Sequence, residues 1–220
     1  MNRVWLACVL AVVFATATGA IAIRSGGRAA PTTNLAISKA VAKVNYYDVR
    51  GTTLEELRQD VFSRGPYDKE ANTRFAGWAE WRIQWWFDRR EVAGGCAVAN
   101  ASTETHIEYT LPRWVDEDAA PPELRASWKR FIDALTEHEE GHGRLARELA
   151  EQIEFAIRSL PPEPTCEELD RKVNELANRL IREDKTQEAY DRETGHGETQ
   201  GAAFPSILVH ATSKTAAVSE

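Results

Sequence analysis

Three cysteines, five histidines and no dense run of lysine or arginine set the first limits on this chain of 220 residues. Its 27 basic residues face 34 acidic ones, for a formal net charge of −7. The basic pairs Arg89-Arg90 and Lys129-Arg130 sit among acids. No surface of that make-up neutralises a phosphate backbone, so a nucleic-acid partner is excluded as an expectation. No internal repeat is present, which sets aside solenoids and propellers and leaves one domain. Neither Cys96 nor Cys166 has a second cysteine or a histidine at ligand spacing, which argues against a cysteine-held metal. Past the N-terminus, no apolar run is long enough to cross a bilayer.

What is present begins with an apolar leader. Arg3 precedes an unbroken run from Val4 to Ile23, and Arg24 ends it. Residues 1–22 read as a signal peptide, with Ala20-Ile21-Ala22 as a small-x-small cleavage site, or as an uncleaved signal anchor. In either case the remainder is expected outside the cytoplasm, periplasmic or secreted. Cys8 lies too near the start to accept a lipid. Cys96 and Cys166 then form an even pair in an oxidising compartment, and a disulfide is the simpler expectation against two buried free thiols.

Residues 23–41, rich in Gly, Ala, Pro and Thr, read as a linker, and residues 206–220 as a flexible tail. Between them, 42–205 is expected to form one α+β domain. A short strand (VNYYDV) leads through Gly51 to a helix capped by Thr52 or Thr53 and closed at Gly65-Pro66. In 77-GWAEWRIQWWFD-88, Trp81, Ile83, Trp85 and Phe87 alternate with Glu80, Arg82, Gln84 and Trp86, which is strand periodicity. A turn at Gly94-Gly95 returns the chain through Thr105, Ile107, Tyr109 and Leu111, with His106 on the polar face, as the second arm of an antiparallel hairpin. Pro121-Pro122 opens a long helix to about Leu160, with a stripe of Trp128, Phe131, Leu135, Leu145, Leu149, Ile153 and Ile157. A second, antiparallel helix is expected from Thr165 to Ala189, followed by a glycine-rich loop, 190-YDRETGHGETQGAAFP-205.

The long helix carries 138-HEEGH-142. Residues four apart share a helix face, so His138 and His142 project together. Glycine inside a helix costs roughly 1 kcal/mol relative to alanine, so Gly141 and Gly143 need a reason to be there. In H-E-x-x-H, two imidazoles can grip one Zn²⁺ while the glutamate, here Glu139, reaches a water and acts as general base. Two core histidines that are merely hydrogen-bonded are the plain alternative. A third ligand decides between them. His196, in 194-TGHGET-199, is the best candidate, with Asp191 or Glu193 as alternatives; Tyr190 is a candidate to stabilise a reacting oxyanion.

HEEGH on a long helix, followed by YDRETGHGETQGA, resembles the bacterial family of predicted secreted zinc-dependent proteases, a domain family of otherwise unknown function. NYYDVRGTTLEEL, the Trp-rich strand, the Cys96 segment ending in YTLPRW, and Cys166 follow the same layout. The resemblance covers residues 42–205 and is most specific at the helix and the TxHG loop. It implies a zincin-like site on His138, Glu139 and His142 with His196 as third ligand. The expected function is an exported zinc-dependent peptidase or amidase acting on proteins or peptides of the cell envelope. The alternative is a non-catalytic envelope module in which a metal, if any, is structural.

Overall fold

The computed structural model describes residues 39–204; the apolar leader, Cys8 and the expected tail after Ser206 lie outside the described residues. The elements run β1 (Lys39–Val49), α1 (Leu54–Arg64), β2 (Tyr67–Asp68), β3 (Thr73–Arg74), β4 (Trp78–Val92), β5 (Gly95–Trp114), α2 (Pro122–Arg158), α3 (Cys166–Glu183) and α4 (Thr186–Thr194). The class is α+β. None of the described helices is long and apolar enough to cross a membrane.

The Trp-rich segment and its return arm pair antiparallel from Trp78↔Thr110 to Val92↔Gly95, with a bulge at Asp88/Arg89. The expected hairpin is therefore there. The first strand is longer than VNYYDV and runs parallel to β5, from Lys39↔Glu104 to Val49↔Trp114, so the sheet is mixed, with order β1-β5-β4. Alternation along β5 buries Ala101, Thr103, Thr105, Ile107, Tyr109 and Leu111 on the helix side. His106 stays on the other face beside Glu104, 3.0 Å away.

Helix α2 spans the sheet. Pro122 occupies its first turn, where the missing N–H costs nothing. Its two ends bury separate apolar clusters. Toward the C-terminal end, Leu149, Ala150, Ile153 and Ile157 meet Ile83, Ala101 and the α3 residues Leu169, Val173 and Ala177. Toward the N-terminal end, Trp128, Phe131 and Leu135 meet Val49, Leu57, Val61, Leu111 and Trp114. Ala146, rather than Leu145, continues the fully buried stripe. The HEEGH turn lies in the seam between these clusters, so polar groups are buried there with apolar packing on both sides.

Cys96 and Cys166 are disulfide-bonded across a sequence separation of 70. The bridge ties the start of β5 to the start of α3, beside a bridge of backbone hydrogen bonds between Cys96 and Glu163. Thr165 caps α3, its hydroxyl accepting from the Glu168 amide at 3.1 Å.

The expected single helix from Thr165 to Ala189 is two helices. The chain leaves helical geometry at Asp184, whose carboxylate accepts the Thr186 amide at 3.2 Å and its hydroxyl at 3.0 Å, starting α4 afresh. Residues 190–194, expected in the loop, are the last turns of α4. That break turns α4 so that Gln187 and Asp191 face α2.

Candidate metal centre

His138, Glu139 and His142 are all buried, at 3%, 6% and 6% exposure. Two glycines make this turn of α2 accessible to close neighbours. A β-carbon at Gly141 would overlap the Tyr190 hydroxyl, and one at Gly143 the Tyr109 hydroxyl. The helix accepts glycine here because two tyrosines occupy the space of the missing side chains.

Helix α4 supplies the third group. Asp191 is 3% exposed, and its Oδ1 lies 3.0 Å from His142 Nε2 and 3.3 Å from His138 Nε2. The two Nε2 atoms stand 3.3 Å apart. These three side chains form a group able to hold a metal ion, with ligand atoms all within 4.8 Å of one another.

His196, the expected third ligand, is placed beside this group: its Nδ1 is 3.5 Å from the same Asp191 Oδ1, and its side chain is 28% exposed. Glu193 is exposed and outside the group. The loop geometry around His196 is unusual. Gly195, His196 and Gly197 all have positive φ, at 57°, 56° and 84°. A left-handed residue other than glycine is uncommon. The turn folds the chain back so that Gly197 lies against the His138 ring and Gln200 reaches it.

Sequence reasoning missed both glutamines. Gln187 Oε1 is 2.6 Å from His142 Nδ1, and Gln200 Oε1 is 3.0 Å from His138 Nδ1. A readable signal existed for one of them, since Gln187 and Asp191 are four apart and so share a face of α4. Tyr190 stacks on the His138 ring, centroids 5.1 Å apart, and its hydroxyl accepts from Gln200 Nε2 at 3.0 Å. In this arrangement the phenol is engaged in holding the ring and the glutamine.

Electrostatics divide the carboxylates. Burial alone would raise Asp191, but hydrogen bonds from His138, His142 and His196 outweigh it and hold the carboxyl far below the usual range. Burial also presses His142 down, and the hydrogen bond and charge of Asp191 more than reverse this. Glu139 goes the other way: burial raises it to about 7, against the pull of the neighbouring histidines. Gly77, just before β4, covers it, and the Tyr47 hydroxyl donates to Ala76 O at 2.6 Å, fixing that cover to β1. The Tyr47 phenol is itself raised by burial and by the charge of Glu139.

The model of the family described as bacterial protein of unknown function (DUF922) matches residues 44–197. The chain belongs to this family. The match takes in the second half of β1, the hairpin, the HEEGH helix, Asp191 and His196, so His138, His142 and Asp191 all lie within the matched residues. No curated protein and no solved structure matches the chain.

Proposed function

We propose that this protein is an exported, metal-dependent hydrolase of peptide or amide bonds in the cell envelope, with Zn²⁺ held by His138, His142 and Asp191. One observation carries the reading: two imidazole nitrogens and a carboxylate oxygen, from two helices, converge within 3.3 Å of one another in a buried seam. The donor set suits zinc, which takes nitrogen and oxygen ligands and in catalytic sites uses three protein groups with one position left for water. The other oxygen of Asp191, Oδ2, is buried without a hydrogen-bond partner. Burying a carboxylate with an unpartnered oxygen is costly, and a cation held by this carboxylate would offset that cost.

A cation bound there supplies Lewis-acid activation of water and of a substrate carbonyl. The chain supplies the proton handling. Glu139, raised to about 7, is matched to accept a proton from water near neutral pH and to return it to a leaving amine. Tyr190 and Gly141 keep the His138 ring in its place against α2. The apolar leader and the Cys96–Cys166 bridge support an extracytoplasmic setting.

The non-catalytic reading keeps one observation in its favour: Glu139 is buried beneath Gly77, which limits the approach of a substrate. The deciding experiment measures zinc per chain by elemental analysis and hydrolysis of an envelope peptide library, in the wild type and in Glu139→Gln. One zinc in both proteins, with cleavage only in the wild type, supports the hydrolase. One zinc in both with no cleavage in either leaves a structural metal, and no zinc in the wild type removes the metal centre altogether.

A further inference from the structure

We infer that Gln187 and Gln200 are a matched pair of positioning residues that fix the tautomers of His142 and His138, so that both Nε2 lone pairs face one point. This rests on the metal-centre reading above and names residues that set its affinity.

Each imidazole has its Nδ1 against a glutamine Oε1, at 2.6 Å for Gln187 and 3.0 Å for Gln200. An amide oxygen only accepts, so the ring nitrogen opposite it must carry the proton. The orientation of the Gln187 amide is set by its other end, which meets a carbonyl that only accepts, whereas the Gln200 amide meets a hydroxyl that can take either role. Gln187 Nε2 donates to the His142 carbonyl at 3.3 Å, and Gln200 Nε2 donates to the Tyr190 hydroxyl at 3.0 Å. Thr194 Oγ1 stands 3.5 Å from His138 Nδ1 as a longer second acceptor, its own proton going to Tyr190 O at 2.8 Å. With Nδ1 protonated, Nε2 of a neutral imidazole carries a lone pair.

In the neutral rings both lone pairs then point toward Asp191 Oδ1 and toward each other, a set of acceptors that either protons shared with Asp191 or a metal cation must occupy. That arrangement is unfavourable until one of the two enters. The opposite tautomer would make the same atoms an ordinary structural cluster, with Nε2–H donating to Asp191. The glutamines therefore decide which of the two this turn of α2 becomes. The chain builds them from opposite sides: Gln187 from the start of α4, one turn before Asp191, and Gln200 from the far end of the left-handed 195–197 turn. Outer groups that orient ligand histidines typically change metal affinity by about 10- to 100-fold when removed.

The test uses the full chain, metal-free, well above the ordinary histidine pKa of about 6.5. Nitrogen-edited NMR of the histidine side chains reports which ring nitrogen carries the proton, and chelator competition reports zinc affinity. Wild type is expected to show Nδ1–H at both His138 and His142. Gln187→Leu is expected to shift His142, and Gln200→Leu to shift His138, toward Nε2–H, each with a 10- to 100-fold weaker zinc affinity. Gln187→Glu and Gln200→Glu keep an acceptor at Nδ1, so they keep the tautomer, and they guard against leucine variants that fail to fold. Nε2–H in the wild type, or unchanged tautomers in folded leucine variants, overturns the assignment. Nδ1–H rings in a wild type that binds no zinc would leave the positioning pair standing and overturn the metal centre alone.

Discussion

Gly77 stands against Glu139 so closely that a β-carbon on it would be 2.5 Å from Oε1 and 3.0 Å from both Cγ and Cδ. The cover over the proposed general base is therefore backbone, and only glycine fits. Gly77→Ala must displace either the buried glutamate or the start of β4. Overpacking of this kind costs roughly 1–3 kcal/mol, and a displacement of about 1 Å at a reacting group can cost about 100-fold in rate. The expected result is a protein that keeps its zinc, melts lower and turns over far more slowly. Wild-type melting and turnover in this variant would mean that the cover sits elsewhere.

Replacing Glu139 with glutamine is expected to leave zinc content unchanged, because the residue lies outside the ligand group. Loss of the proton acceptor should lower turnover by about 100- to 10,000-fold. Retained turnover would remove Glu139 from the chemistry.

Asp191 and His196 compete for the role of third ligand, and their variants separate the two. Asp191→Ala removes the oxygen on which both Nε2 atoms converge, and zinc affinity should fall by more than the roughly 100-fold limit typical of outer groups. His196→Ala removes a partner of Asp191 at 3.5 Å and should cost about 10- to 100-fold. The reverse ranking, by chelator competition, would give the ligand role to His196.

The HEEGH helix and the hairpin were legible because both are local patterns: the i, i+4 pairing of His138 and His142, and the alternation of Trp81, Ile83, Trp85 and Phe87 against polar neighbours. The parallel pairing of β1 with β5 was not, since Lys39 meets a residue as far along the chain as Glu104 and nothing in either segment names its partner. The break between α3 and α4 was hidden because neither glycine nor proline marks it; Asp184 and Thr186 make the turn with side chains that are equally at home on a helix surface. That break changes which of the expected candidates is aimed inward. With residues 190–194 taken as loop, His196 between its glycines was the natural ligand. Once those residues are helical, Asp191 falls one turn after Gln187 on the face toward α2, and the carboxylate takes the central place. Composition could supply donor types, but which donor is aimed inward depends on where one helix ends and the next begins.

The Cys96–Cys166 bridge closes a loop with a sequence separation of 70, for which the chain-entropy view gives about 4 kcal/mol of stabilisation. It joins the cluster around Ile153 and Ile157, about 20 Å along α2 from His142 at the helical rise per residue. Replacing both cysteines with serine should therefore lower the unfolding free energy by a few kcal/mol and leave zinc stoichiometry of the folded protein intact. Denaturant titration with metal analysis at low denaturant checks both. Zinc lost together with the bridge would show that the two ends of α2 are coupled.

Gly141 and Gly143 give the sharpest contrast, because the same substitution meets two different obstacles. Alanine is the better helix former by about 1 kcal/mol, so either change would stabilise an isolated helix. At Gly143 the new methyl overlaps the Tyr109 hydroxyl oxygen, while the next atom of that ring, Cζ, is 3.0 Å away. Removing the oxygen in Tyr109→Phe opens most of the space. Gly143→Ala alone should lower stability by roughly 1–3 kcal/mol, and the double variant should recover most of that loss. At Gly141 the methyl meets the Tyr190 hydroxyl, overlaps Cζ as well, and stands 2.7 Å from Cε1. Tyr190→Phe leaves those ring carbons in place, so it should not rescue Gly141→Ala. The stacked His138 ring would be pushed with them, and zinc affinity should fall in both the single and the double variant. A double-mutant cycle on each pair measures the difference directly. Equal rescue at both positions would mean that Tyr190 is free to move away from the helix, and that it does not hold His138 in place.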